Sequence, residues 1–392
     1  MFEQRMNAWR PTRQQEDLLK AVLLPDARWR EAWERWRNSV RLEHLPDGSY
    51  RLIPLLLKRM EHEGIRDPWI PRLRGIYRHT WARNQVILRE GAAAARVLGS
   101  NGIRVMLIKG AAMIHACYRD PGLCPMNDMD LMVPEDRAME AVSLFRKAGW
   151  KPTSRYEGDI PERFIRIGHS HPFLTTRDIE VDLHWHLLHV LCTPGADAPF
   201  WDRAGRVEFF GNQVDLPDPT DQLLLTCLHG MYWSAASSLR WVVDAGWLIR
   251  SFPIDWDRPA TYARFRGMVL PLTFALAYLR ETLEFPIPKA VLSALQSSPR
   301  QSDERLIFLT YAGPGNLVWN TLSLWFRHKY FSRAKPANFF RLVWELPEFL
   351  MAYWALDHPV KIMPTFLGKV WGHFFPIRGA ASSLPRRPPR GG

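Results

Sequence analysis

Residues 103–133 read IRVMLIKGAAMIHACYRDPGLCPMNDMDLMV. Ile103 to Ile108 is a short apolar run that Lys109-Gly110 closes. Gly110 to Tyr118 is small and apolar, which suits a helix, and Arg119-Asp120-Pro121-Gly122 is a turn. Asp128 to Val133 alternates polar with apolar residues and then stays apolar, as a strand does. Pro134-Glu135-Asp136 opens a helix that runs to about Lys147 and stops at Gly149. Asp178-Ile179-Glu180-Val181-Asp182-Leu183-His184-Trp185 alternates again and reads as a further strand. Strand, helix, strand, helix and strand within roughly 100 residues give a mixed α/β core.

The chemistry sits on the acidic strands. Asp128 and Asp130 are two residues apart, so on a strand both carboxylates point to one face. Two adjacent carboxylates repel, and a divalent cation between them removes the repulsion. Magnesium takes oxygen ligands and completes its shell with water and phosphates. Asp182, with Glu180 on the same face, offers a third carboxylate from a neighbouring strand. Three such groups on adjacent strands can hold two metals for phosphoryl or nucleotidyl transfer. An isolated Asp-x-Asp is usually an ordinary acidic segment; here the context adds weight. Lys109-Gly110 lies where a strand turns into a helix, a place where backbone amides and a lysine can cradle phosphate.

Outward from this core the chain reads as helical. Glu16 to Leu24 and Trp29 to Trp36 carry apolar residues at helical spacing, and Arg72 to Leu98 reads as one long helix ending near Gly99 and Gly102. Pro217-Asp218-Pro219 marks a boundary, with helices expected over Thr220–Trp233 and Leu239–Arg250. The resulting division is a helical region over 1–100, an α/β core over 101–215, a helical domain over 216–300 and an aromatic, basic helical end over 301–392. The tail from Pro385 to Gly392 reads as solvated and disordered.

The 392 residues are 47% hydrophobic, 12% aromatic and 23% charged, a globular balance that excludes collagen, a disordered chain and a small disulfide scaffold. Four scattered cysteines form no CxxC pair, and the polar N-terminus has no signal-like apolar stretch, which points to a cytoplasmic protein. A net charge of +12 favours anionic partners. The 18 tryptophans read as packing anchors.

Taken together, Val105 to Met113, Tyr118 to Gly122, Asp128 to Val133 and Val181-Asp182-Leu183-His184-Trp185 resemble a family of bacterial nucleotidyltransferases with the pattern lKGaal…Y.dpg…DiDllV…vDlHw. The segment Glu16 to Leu19, His229 with Trp233, and Leu239 to Asp244 are also similar to that family. The likeness spans about residues 12–300. It implies an α+β fold, with a small mixed-sheet nucleotidyltransferase core of the polymerase-β type between helical regions. It implies a magnesium-dependent enzyme, with two ions (manganese as a substitute), moving a nucleoside monophosphate from an NTP to a hydroxyl or phosphate acceptor. Asp128 and Asp130 would bind both metals. Asp182 would bind the second and orient or deprotonate the acceptor. Lys109 and Gly110 would hold the triphosphate, with His184 beside the metal face as a supporting or substrate-contacting group. The acceptor would be a small molecule, saccharide or peptide, in polysaccharide or peptide natural-product biosynthesis.

This chain departs from the pattern before the acidic pair. Relatives carry an arginine and a glycine; here the residues are Cys124-Pro125-Met126-Asn127. Asn127 can adopt a glycine-like conformation, but Cys124 cannot replace a guanidinium on phosphate. A catalytically impaired nucleotidyltransferase-like scaffold is therefore the competing reading. A basic nucleic-acid-binding protein is a third, but no recognition motif supports it. The histidines at 169, 171, 184, 186 and 189 do not have zinc-module spacing. His229 reads as a packing histidine. Asp244 reads as a helix-face charge or a partner for a cation across the domain junction. Lys147, Arg155, Arg163 and Arg166 read as solvated cations that could reach phosphate. The aromatic and cationic segments Trp325–Phe331 and Lys369–Phe375 read first as packed helices, with a peripheral membrane contact left open.

Overall fold

The computed structural model describes residues 6–7, 9–153, 160–190, 192–232, 239–300, 303–311, 317–332 and 339–374. The expectations for Arg155, Trp233 and the 385–392 tail lie outside these residues.

Two helices open the described chain. α1 (Arg13–Leu23) starts with a reciprocal cap: Gln15 N–H donates to Thr12 Oγ1, and Thr12 N–H donates to Gln15 Oε1. Its Leu18, Leu19 and Leu23 are buried against α2 (Arg28–Ser39), whose Trp29, Trp33 and Trp36 are buried in turn. The tryptophan spacing of four and three places all three rings on one helix face. After α3 (Ile53–His62) comes α4 (Ile70–Gly99), which runs past the sheet. At Gly91 of α4 a side chain would strike Met129, since an added Cβ would lie 2.6 Å from its Cγ and Cε. Glycine there lets the helix lie directly on the strand that carries Asp130.

The sheet has seven strands: β1 (Met106–Leu107), β2 (Met129–Met132), β3 (Lys151–Pro152), β4 (Ser170–Leu174), β5 (Glu180–His184), β6 (Gly205–Phe209) and β7 (Asn212–Leu216), in the order β3-β4-β5-β2-β1-β7-β6. β2 is antiparallel to β1 and parallel to β5; β1 is parallel to β7; the outer pairs are antiparallel. The mixed α+β fold expected from the sequence is present. The apolar run 103–108 contributes only two ladder residues. The helix expected over 110–118 is α5 (Lys109–Met113) followed by a wider π turn over Ile114–Tyr118. The helix after Pro134 is α6 (Ala138–Lys147), entered through a short 3-10 turn. The short α7 (Glu162–Ile165) lies between β3 and β4.

Beyond the sheet, α8 (Pro219–Tyr232), α9 (Arg240–Ser251) and α10 (Val269–Glu281) pack together. One continuous apolar core runs from Trp9 through the sheet to Phe308 and Phe326. α11 (Leu317–Ser332), α12 (Phe339–Tyr353) and α13 (Ile362–Phe374) come last and contact one another. Among the described residues no helix is long and apolar enough to cross a membrane.

Candidate active site

β1 turns into α5 through Lys109, whose φ of 50° puts a non-glycine residue in the left-handed region. Such a conformation costs about 1–2 kcal/mol unless contacts hold it. Here the side chain supplies them. Lys109 Nζ lies 2.5 Å from Asp130 Oδ1 and 3.3 Å from His184 Nε2. Gly110 follows, and a Cβ there would come within 2.8 Å of Met126 Sδ, so the turn sits tightly on the loop before β2.

The acidic strands bring their charges together through register. In the parallel pair β2/β5, Asp130 is the Cα partner of Asp182 and Met132 that of His184. Partners on neighbouring strands are about 5 Å apart. Asp182 and His184 are two apart and share a face. His184 Nε2 consequently lies 3.0 Å from Asp130 Oδ1 and 2.9 Å from Asp182 Oδ2. Ser170 Oγ on β4 donates to Asp182 Oδ2 at 3.2 Å. Asp130, Asp182 and His184 each offer a ligand atom within 4.8 Å of the others. Asp128 stands just before β2, outside this tight trio, and faces the same cavity as Asp130.

The electrostatics follow from burial plus close charge. Burial opposes the charged form of His184, but the Asp182 charge and the hydrogen bonds to Asp130 and Asp182 together outweigh it and raise the imidazole to about 9. Burial and then the Asp130 charge push Asp128 up to about 7. Burial would also raise Asp130 and Asp182. Lys109 and His184 hold Asp130 below its usual value, and His184 with Lys109 holds Asp182 well below. Lys109 itself is raised: the neighbouring carboxylates outweigh its burial.

Lys109, Gly110, Asp128 and Asp130 line a cavity of about 310 Å³ together with Arg51, Gln222, His229, Arg240 and Trp241. The two arginines were not singled out from the sequence. Arg240 is buried, and its Nη1 has no hydrogen-bond partner among the described residues. Its Nε and Nη2 reach Asp244 at 3.3 Å, and Tyr118 donates to the same carboxylate at 2.5 Å. Asp244 thus pairs within its own helix and also with the Tyr118 hydroxyl across the junction. Arg51 donates to the Pro125 carbonyl at 3.1 Å; burial and then the charge of Arg240 lower its pKa. A guanidinium whose charge is disfavoured by burial and by its neighbour is suited to an anion. Cys124 lies beside them, with its thiol pushed up to about 12 by burial, and donates to the Gly110 carbonyl at 3.5 Å. Arg240 on α9 and Arg51, just before α3, thus place two guanidiniums beside Cys124.

His229 lines the cavity and is lowered to about 3 by burial and then by Lys109, so it is neutral at ordinary pH. Arg163 donates to the Leu356 carbonyl at 2.8 Å and Arg166 pairs with Glu162 at 2.7 Å. Neither lines the cavity, and nor does Lys147.

The residues suit a divalent cation. The donors are mostly carboxylate oxygens, the preference of magnesium and manganese. Asp182 Oδ1 is buried without a hydrogen-bond partner among the described residues, an acceptor that a cation would satisfy. The Lys109 ammonium already rests on Asp130 as a resident positive charge.

Residues 49–284 match a family described as uncharacterised nucleotidyltransferase. Among solved structures, an antigenic nucleotidyltransferase-like protein from Paracoccidioides brasiliensis aligns at 18% identity, covering 56% of this chain and 94% of that one, with a TM-score of 0.33. No curated protein matches the chain.

Proposed function

The chain belongs to this family of uncharacterised nucleotidyltransferases, and on that premise we propose that it moves a nucleoside monophosphate from an NTP to a hydroxyl or phosphate acceptor with the help of magnesium. The observation that carries the proposal is the convergence of Asp130 and Asp182, register partners on parallel strands, beside a cavity lined by Lys109, Arg51 and Arg240.

Asp128 and Asp130 would hold both ions and Asp182 the second. When bound, the ions would polarise the attacked phosphate and the acceptor oxygen. The protein's own groups do the rest. Lys109 and Gly110 hold one end of the triphosphate, and Arg51 with Arg240 neutralises the other. Asp182 orients the acceptor hydroxyl. That oxygen bonds to the α-phosphorus, the α–β phosphoanhydride bond breaks, pyrophosphate leaves, and the hydroxyl proton passes to solvent. Protonated His184 holds Asp130 and Asp182 in place between substrate cycles. On this reading residues 101–215 are the catalytic core, 1–100 and 216–300 close the cavity, and 301–392 is a separate functional element.

The ion pair between Lys109 and Asp130 favours one second reading, a nucleotide-binding scaffold in which the lysine keeps the metal position. Pyrophosphate release from NTPs, measured with magnesium and candidate acceptors, separates the two. Release that disappears in Asp130→Asn and Asp182→Asn supports the enzyme. Magnesium-dependent nucleotide binding with no release in the native protein supports the scaffold.

A further inference from the structure

Helix α8 presents one face to the candidate active site. Gln222, Leu225, Thr226 and His229 all line the cavity, and their spacing of three, four and seven residues is that of a single helical stripe. Leu187, just past β5, and Trp241 of α9 line it as well. None of these side chains carries a formal charge at neutral pH, since burial and then the Lys109 charge hold His229 down at about 3. They differ in kind from the aspartates, Lys109 and the two arginines, which suit metal ions and phosphates. Apolar surface with a few neutral hydrogen-bonding groups suits a nucleobase, whose two faces are apolar and whose edge is polar and uncharged.

Gln222 has an unmet hydrogen bond. It is 6% exposed, and its Oε1 is buried with no hydrogen-bond partner among the described residues. A buried acceptor left bare is costly, so such an atom in a binding cavity calls for a donor on the ligand. The turn that carries it is firmly held. Gln222 N–H donates to the Asp218 carbonyl at 2.8 Å, and the neighbouring buried Asp221 accepts from Arg203 Nε and Nη2 at 2.7 and 3.0 Å. His229, at the other end of the stripe, is close enough to Lys109 to feel its charge. Gln222 comes seven residues earlier, about 10 Å along the helix axis. A nucleotide with its phosphates at Lys109 therefore has room to extend along α8 towards Gln222.

We propose that Gln222 selects the nucleobase: its carboxamide oxygen accepts a hydrogen bond from an exocyclic amine, so the cavity takes an amino-bearing base, adenine or cytosine, ahead of the matching keto base. A keto base would set its own carbonyl against Oε1 and leave that acceptor bare. The proposal rests on the nucleotidyl-transfer reading and names the specificity of that same site.

The test is calorimetric titration of the full-length protein, in magnesium, with ATP, ITP, CTP and UTP, and with inorganic tripolyphosphate as a probe that has no base. ITP is ATP with the amine replaced by a keto oxygen, and UTP stands in the same relation to CTP. The native protein is expected to bind the amino member of a pair about tenfold or more tighter than its keto partner. Gln222→Leu, close in size and without the acceptor, should bring the members of each pair to equal affinity. The same variant should bind tripolyphosphate as the native protein does, with no fall in Tm. Equal native affinities within both pairs, or tighter binding of ITP and UTP, overturn the proposal and leave the reading of the site standing. So does a preference that survives in Gln222→Leu, or a loss in that variant as large for tripolyphosphate as for ATP. A native protein that binds neither the NTPs nor tripolyphosphate overturns the nucleotidyl-transfer reading as well.

Discussion

Asp130 and Asp182 are register partners on adjacent parallel strands, and His184 Nε2 lies between them at 3.0 and 2.9 Å. The arrangement follows from pairing alone. Once β2 and β5 align, two carboxylates are forced side by side, and the residue two further along β5 returns to the same face. A charge pair of that kind needs cations, and the fold provides Lys109 and His184.

Replacing either carboxylate should remove the function it was built for. Asp130→Asn and Asp182→Asn are each expected to lower kcat/KM for pyrophosphate release by about 10³-fold or more, since metal-centred charge stabilisation contributes several kcal/mol. The double variant should be little worse than either single one, because the groups act as a unit. Steady-state kinetics with saturating magnesium checks both statements. Equal losses that multiply in the double variant would show that the two carboxylates act separately.

Lys109 competes with any cation for Asp130. Lys109→Gln is expected to tighten magnesium binding in the absence of nucleotide and to weaken NTP binding. In magnesium-free buffer the variant should also have a lower Tm, because a buried carboxylate loses its ammonium. Adding magnesium should raise its Tm by more than that of the native protein. Calorimetric titration and thermal melts with and without chelator measure the two effects.

The pH dependence of the metal-free protein follows from the shifted groups. His184, raised from 6.5 to about 9, gives stability that is complete below pH 6.5 and lost as pH rises through 9. Asp128, raised from 3.8 to about 7, favours the protonated folded form, so stability also declines between those values. Asp130 and Asp182 are lowered and act at the other end: their contribution is present above their usual range and lost in acid. The metal-free Tm should therefore fall steadily from pH 6 to 9, by an amount on the order of a few kcal/mol in stability. His184→Gln should flatten the alkaline part of that slope. A flat native profile across this range would show that the carboxylates do not hold a charged imidazole.

Arg51 offers a milder probe of the basic wall than the buried Arg240. If it neutralises the phosphate tail, Arg51→Gln should raise KM for NTP by about 10–100-fold, the cost of one charge-assisted hydrogen bond. Affinity for the corresponding nucleoside monophosphate should change little. Inhibition constants for the monophosphate, measured beside KM for the NTP, separate a tail contact from a general loss of structure.

The acidic strands and the helices flanking them were legible because their signals are local: alternation over Asp128–Val133 and Asp178–Trp185, and helical stripes at Leu18, Leu19 and the α2 tryptophans. The β6/β7 hairpin was not. Its turn places Phe210 and Gly211 both at positive φ, 49° and 78°, as a type I′ turn demands, but phenylalanine gives none of the usual asparagine-glycine signal. The edge strand β6 is also largely exposed, and its alternation is short, with only Val207 and Phe209 apolar. Arg51 and Arg240 were missed for a different reason. They meet only because α9 and the segment before α3 face the same cavity; Arg240 lies within the family-like segment Leu239–Asp244 but carries no role there, and nothing local distinguishes Arg51 among 52 cations. The packed C-terminal helices expected from the sequence have inner faces that pack and outer faces that do not, a distinction that helical spacing alone cannot make.

The geometry of that basic wall depends on a glycine. On α8, an added Cβ at Gly230 would meet Trp241 Cγ at 2.2 Å and Cδ1 at 2.5 Å. The obstacle is a rigid indole next to Arg240 in sequence and lining the same cavity, so it cannot swing aside as a methionine tip could. Gly230→Ala must push α9 away from α8 or turn the ring into the nucleotide space. Helix propensity would favour alanine by about 1 kcal/mol, and overpacking opposes it by about 1–3 kcal/mol. A net loss of stability is expected, together with weaker NTP binding. Trp241→Leu in the same chain should recover part of the lost stability by making room. Denaturant melts of the two single variants and the double variant give the coupling energy. A Gly230→Ala protein as stable as the native one, with unchanged KM, would show that the contact between α8 and α9 does not set the position of Arg240.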